Sequence, residues 1–117
     1  MWALSISTLV GFERSDYPDL PIEGEKDLLL DLYEPVGENV PPLKPGYVWI
    51  HGGNWQGGGK GGWLDTDQPM YYARRGYVAV SITYRLEGDD PPGPNESSYQ
   101  NARLAAFEDS ANAVRWM

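Results

Sequence analysis

The chain has no cysteine. Disulfides, thiolate nucleophiles and sulfur-ligated zinc are therefore excluded, and the compartment is left open, because reducing and oxidising environments both accept such a sequence. A single histidine rules out a histidine-built metal site. Basic residues are scarce: nine Lys and Arg stand against 17 Asp and Glu, a formal net charge of −8. Backbone phosphates demand a cationic surface that these nine cannot assemble, so no nucleic-acid partner is expected, and a neutral or cationic small molecule fits the charge better. No run approaches the ~20 apolar residues of a membrane span. The apolar opening from Met1 to Phe12 lacks a preceding Lys or Arg and a small-residue cleavage pattern, so it is read as a first strand rather than a signal peptide.

What is present is enough apolar and aromatic matter to bury a core. The 117 residues are 41% hydrophobic, with five Trp and eight Tyr, well away from disordered composition. Asp27-Leu-Leu-Leu-Asp-Leu-Tyr33 reads as a strand entered through a turn at Glu23 to Lys26, forming an antiparallel pair with the opening segment. Four prolines make Pro35 to Gly46 a loop. Tyr47-Val-Trp-Ile50 is short and wholly apolar, as a strand of a parallel sheet is. Pro69 to Arg75 predicts a short helix stopped by Gly76, and Tyr77 to Tyr84 predicts the strongest strand. Strand, helix, strand is a crossover, so the two flanking strands should be parallel. After a proline-rich acidic loop from Glu87 to Tyr99, alanines at helical spacing make Asn101 to Met117 an amphipathic helix with no stop signal. On its apolar stripe sits Asp109, a carboxylate that would be partly buried and is expected to pair with Arg85 or with loop N–H groups.

Chemistry concentrates in Trp49-Ile-His-Gly-Gly-Asn-Trp-Gln-Gly-Gly58, where a buried strand runs into glycines at the sheet edge, the place where α/β sheets bind ligands. Gly52 and Gly53 free the backbone to aim consecutive N–H groups into a cleft, which suits the oxyanion of an acyl-transfer intermediate. Gly57-Gly-Gly-Lys-Gly-Gly62 formally fits Gly-x-Gly-x-x-Gly, so a nucleotide-binding domain is an alternative. Against it, His51 to Gln56 separate the strand from the first glycine, and Trp63 to Gln68 delay the expected helix. The abundance of glycine is read as a flexible entrance to the site. Asp65 and Asp67 form only a faint cation loop and are expected to cap the Pro69 helix. His51, the only imidazole, has no serine beside it to act on. Trp55 is a candidate pocket wall and equally a packing residue.

His51-Gly-Gly-Asn-Trp55 resembles the His-Gly-Gly-x-Trp motif of the esterase, lipase and arylformamidase-like α/β-hydrolases. Three further segments resemble that family in the same order: Asp27 to Pro35, Gly76 to Leu86 and Glu108 to Trp116. The resemblance implies an α/β architecture, a partial α/β-hydrolase fold in which an antiparallel first pair leads into a parallel sheet with flanking helices. It implies that the N–H groups of Gly53 and Asn54 form an oxyanion hole, with Gly52 shaping the turn and His51 buttressing it through its ring nitrogens. It implies a small-molecule carboxylic ester as substrate, a formamide next, and neither metal nor organic cofactor. One piece is missing: none of the seven Ser lies in a Gly-x-Ser-x-Gly elbow. The chain is accordingly expected to be the N-terminal part of one hydrolase domain, with nucleophile, acid and base His beyond Met117. A stand-alone, non-catalytic interaction module is the other reading.

Overall fold

A computed structural model describes residues 1–10 and 28–117. The turn expected at Glu23 to Lys26 lies outside the described residues. Among them the chain order is β1 (Ala3–Val10), β2 (Leu29–Val36), β3 (Gly46–Ile50), α1 (Trp63–Ala73), β4 (Val78–Ile82), a 3₁₀ turn at Glu87–Asp89, and α2 (Ser98–Trp116). The four strands form one sheet in the order β1-β2-β4-β3. β1 and β2 are antiparallel, β2 and β4 antiparallel, and β3 and β4 parallel. The expected antiparallel pair and parallel crossover are both present.

Period-2 alternation sorts the strands onto two faces. On one, Leu30, Val80 and Ile82 meet Leu28 and Ala113 of α2, with Val48 and Leu32 packed at the margin. On the other, Tyr33 and Ala79 meet Ala73 of α1, with Leu4, Tyr47 and Met70 alongside. β4 is the central element: Ala79, Val80, Ser81 and Ile82 all have 0% exposure. Both helices cover strand side chains, which is why β2 and β4 carry apolar residues on both faces.

Two helix starts differ from the sequence expectation. α1 begins at Trp63, six residues before Pro69, with Gly62 at its N-cap. Proline prefers the first turn of a helix, which is why the sequence predicts a start at Pro69. Here Pro69 sits buried inside the helix, where its missing N–H leaves one helical hydrogen bond unmade. The first turn is fastened by Thr66, whose hydroxyl donates to the carbonyls of Gly62 (3.2 Å) and Trp63 (3.0 Å). Asp65 and Asp67 therefore lie within the helix and do not cap it. α2 begins at Ser98 rather than Asn101, because the Ser97 hydroxyl accepts from the Gln100 N–H (3.3 Å). α1 ends at Ala73, two residues before the expected Arg75, and the turn that closes it runs through Gly76, which has φ 101° and whose N–H, with that of Tyr77, closes back onto the carbonyls of Ala73 and Tyr72.

α2 is tied to the end of β4 by a buried ion pair. Asp109 is 0% exposed and Arg85 8%. The carboxylate accepts from the Arg85 backbone N–H (2.9 Å), from Nε (3.1 and 3.2 Å) and from Nη2 (2.9 Å). Both expected partners of Asp109, the guanidinium and a loop N–H, are thus supplied by one residue. Burial, set against the neighbouring Arg85, leaves Glu108 with its carboxyl shifted upward from its ordinary value.

Candidate active site

β3 ends at Ile50 and the backbone turns sharply. Gly53 (φ 134°), Asn54 (φ 53°) and Trp55 (φ 60°) are three successive residues in the left-handed region. A glycine and an asparagine accept this; a tryptophan does so only when its surroundings hold it there. The turn closes on itself, with the N–H groups of Gln56 (3.0 Å) and Gly57 (3.2 Å) donating to the Gly53 carbonyl. A Cβ on Gly53 would stand 2.0 Å from the Gly57 carbonyl oxygen, and one on Gly58 would stand 2.4 Å from the Gly52 oxygen. At these two positions glycine is required by close approach as well as by φ, a reason more specific than a flexible entrance.

His51 is 4% exposed. Its ring lies on that of Tyr84 with centroids 4.2 Å apart and planes 13° from parallel, and its Nδ1 is 2.8 Å from the Gly52 carbonyl oxygen. A carbonyl can only accept, so Nδ1 carries the proton. The Tyr84 hydroxyl donates to the His51 carbonyl at 2.6 Å. Burial, and secondarily the charge of Asp65, holds this phenol above its ordinary pKa of 10.0. Tyr84 therefore stays a neutral donor. The other flank of the turn is held by the Tyr99 hydroxyl donating to Asn54 Oδ1 (2.8 Å), the Glu87 N–H donating to the Trp55 carbonyl (2.8 Å), and Gln56 Nε2 donating to Glu87 Oε2 (2.8 Å).

The turn opens onto a cleft of 910 Å³ whose walls include Trp55, Tyr84, Arg103 and Phe107. Gly52, Gly53 and Asn54 all line it. Among the described residues, no acceptor takes the N–H of Gly53 or of Asn54. Trp55 does two things at once: it lines the cleft, and its ring packs edge-on against Tyr99 (6.0 Å) beneath the Arg103 guanidinium (5.0 Å). One serine, Ser110, reaches the cleft wall, but its hydroxyl donates to the Ala106 carbonyl (2.8 Å) within α2. Among the described residues no serine hydroxyl is bonded to His51.

The glycine run Gly57 to Gly62 opens directly into α1, since Gly62 is the helix N-cap. The expected delay between this run and the helix does not exist, which removes one of two objections to a dinucleotide pattern. The other stands: His51 to Gln56 still separate β3 from Gly57. Lys60, moreover, turns away to bond Asp31. Tyr84 and Tyr99, which bond the turn from distant segments, were not apparent in the sequence as its supports, nor was the pairing of Lys60, in the adjacent glycine run, with Asp31 of β2. Only Tyr84, closing the strongest strand beside Arg85, had a local signal.

An antiparallel pair leading into a parallel crossover, with a glycine-rich turn at the sheet edge between the helices, is the architecture of an α/β-hydrolase. The BD-FAE family profile matches residues 30–117, and the chain belongs to that family. Among solved structures, esterase B from Lactobacillus rhamnosis is 24% identical over 97% of this chain and 29% of its own, with TM-score 0.64. Brefeldin A esterase, a bacterial homologue of human hormone sensitive lipase, is 22% identical over 97% and 26%, with TM-score 0.63. A bacterial heroin esterase is 22% identical over 88% and 28%, with TM-score 0.52. The chain thus spans under a third of the length of each. No curated protein matches it. Among the described residues no helix is long and apolar enough to cross a membrane.

Proposed function

We propose that the complete protein hydrolyses carboxylic esters through a serine nucleophile, and that this chain supplies the oxyanion-binding half of the site. One observation supports the reading: the left-handed residues Gly53 and Asn54 line an open cleft, and their two successive N–H groups have no acceptor among the described residues. When a nucleophile adds to an ester carbonyl, the oxygen gains charge, and two fixed donors stabilise it more than they stabilise the neutral substrate. Gly52 shapes the entry to the turn and Trp55 forms a wall against the acyl or alcohol group. The donors are held from behind by the stacked His51 and Tyr84, so they need no reorganisation as charge develops.

His51 is not the general base in this reading, because its ring is buried and its Nδ1 bonds the adjacent carbonyl. Nucleophile, acid and base His come from residues beyond Met117, in keeping with the absence of Gly-x-Ser-x-Gly here. The solved relatives are esterases by name, which supports a small neutral ester ahead of an amide such as a formamide. The test is turnover of p-nitrophenyl butyrate by the full-length protein together with labelling by a fluorophosphonate. Hydrolysis with a single labelled serine downstream of residue 117 is the expected result. The absence of both turnover and label would overturn the proposal, and turnover by the isolated 117 residues above a protein blank would overturn the placement of the nucleophile.

A further inference from the structure

A row of polar side chains crosses the sheet on the face covered by α1. Thr8, Asp31, Ser81 and Trp49 are successive register partners on β1, β2, β4 and β3. Polar groups under a helix need partners, and these find theirs largely in the segment that follows the oxyanion turn. Thr8 Oγ1 donates to Asp31 Oδ1 (2.6 Å), and Lys60 Nζ lies 3.0 Å from Oδ1 and 3.1 Å from Oδ2 of the same carboxylate. The Ser81 hydroxyl donates to the Lys60 carbonyl (3.3 Å), and Trp49 Nε1 donates to Asp65 Oδ1 (2.7 Å). Lys60 is therefore gripped at both its side chain and its backbone, and Asp65 pins the start of α1 beside it.

We infer that Lys60 is a positioning residue for the oxyanion turn, acting through its ion pair with Asp31. The inference rests on the reading of Gly53 and Asn54 as oxyanion donors. Two residues before Lys60, Gly58 packs so closely that a Cβ there would meet the Gly52 oxygen at 2.4 Å and His51 Nδ1 at 2.6 Å. Gly57 both donates its N–H to the Gly53 carbonyl and presses its own carbonyl oxygen against Gly53. Gly57 and Gly58 are the floor on which the turn stands, and the backbone of the five glycines around Lys60 has no side chains of its own to hold it. Lys60 is the one residue between Gly57 and Gly62 with a side chain, so it alone can fasten that floor to the sheet by a side-chain bond. The pair is well shielded, with side-chain exposures of 20% for Lys60 and 12% for Asp31. Release of the pair lets residues 57–60 drift and re-aims the Gly53 and Asn54 donors, an effect felt where charge develops and hardly in ground-state binding.

The experiment uses the full-length protein as wild type, Lys60→Met, Asp31→Asn, the double variant and Lys60→Arg. It measures amide hydrogen exchange over residues 52–58 and steady-state hydrolysis of p-nitrophenyl butyrate. Lys60→Met is expected to speed exchange across 52–58 and to lower kcat by roughly ten- to a hundredfold with KM within about twofold, the scale of small misplacements at a catalytic group. The double variant should be no worse than the worse single one, since both remove one interaction, and Lys60→Arg should restore most of kcat. Unchanged exchange and unchanged kcat in Lys60→Met overturn the inference, as does a lowered melting temperature with kcat intact. If the wild type hydrolyses no ester, the oxyanion reading fails separately and exchange alone decides: faster exchange upholds the tether, unchanged exchange ends it.

Discussion

At the scale of single residues, the site depends on backbone conformation more than on reactive side chains. Gly53 combines φ 134° with a neighbour 2.0 Å from any added Cβ. On the oxyanion reading, Gly53→Ala in the full-length protein displaces a donor N–H and is expected to lower kcat about a hundredfold with little change in KM, the scale of losing one oxyanion donor; steady-state kinetics on an aryl ester check it. Tyr84→Phe keeps the stack on His51 and removes the donor to its carbonyl, leaving a buried acceptor unpaired, which costs ~1–3 kcal/mol and is read by urea denaturation. Tyr84 also makes stability depend on alkaline pH. Its folded pKa is raised above 10.0, so the neutral phenol is favoured in the fold: its contribution is complete below pH 10.0 and is lost as pH climbs toward the folded value. The gap between wild type and Tyr84→Phe should therefore narrow in strongly alkaline denaturation curves. A constant gap would mean that the phenol's proton plays no part.

At the scale of elements, the sheet and both helices were legible in the sequence, and their boundaries were less so. β3 and β4 could be placed because a buried strand between turn signals has few other readings. The start of α1 could not, because Trp63 to Gln68 show no apolar period and Pro69 carried the local argument. What fastens that first turn, Trp49 to Asp65 and Thr66 to Gly62, is made by folding. The Asp109 carboxylate was foreseeable as a stripe residue of the wrong polarity, and it joins α2 to the end of β4. Asp109→Ala leaves the Arg85 guanidinium buried without its main partner and is expected to destabilise the protein by ~3–5 kcal/mol, measured by chemical denaturation. A loss below 1 kcal/mol, well short of that range, would show that the pair is dispensable to the packing of α2.

At the scale of the whole molecule, the core is shared between two sheet faces through β4, whose Ala79 and Val80 belong to opposite faces and are both wholly buried. Ile82→Ala opens a cavity beside Leu28, Leu30 and Ala113 and is expected to cost ~2–5 kcal/mol; the melting temperature should fall in step. The sequence alone was enough to give the fold class, through ordered segments that resemble the α/β-hydrolases, the motif His51 to Trp55, and the exclusion of cysteine and histidine-cluster chemistry. Each of these depends on residue types or on patterns local to a segment. Tertiary structure decided the rest. That Tyr84 and His51 stack, that Tyr99 bonds Asn54 and that Lys60 reaches Asp31 are contacts between segments 29 to 45 residues apart. No local pattern specifies such contacts, because their free energy exists only once the sheet has brought the partners together.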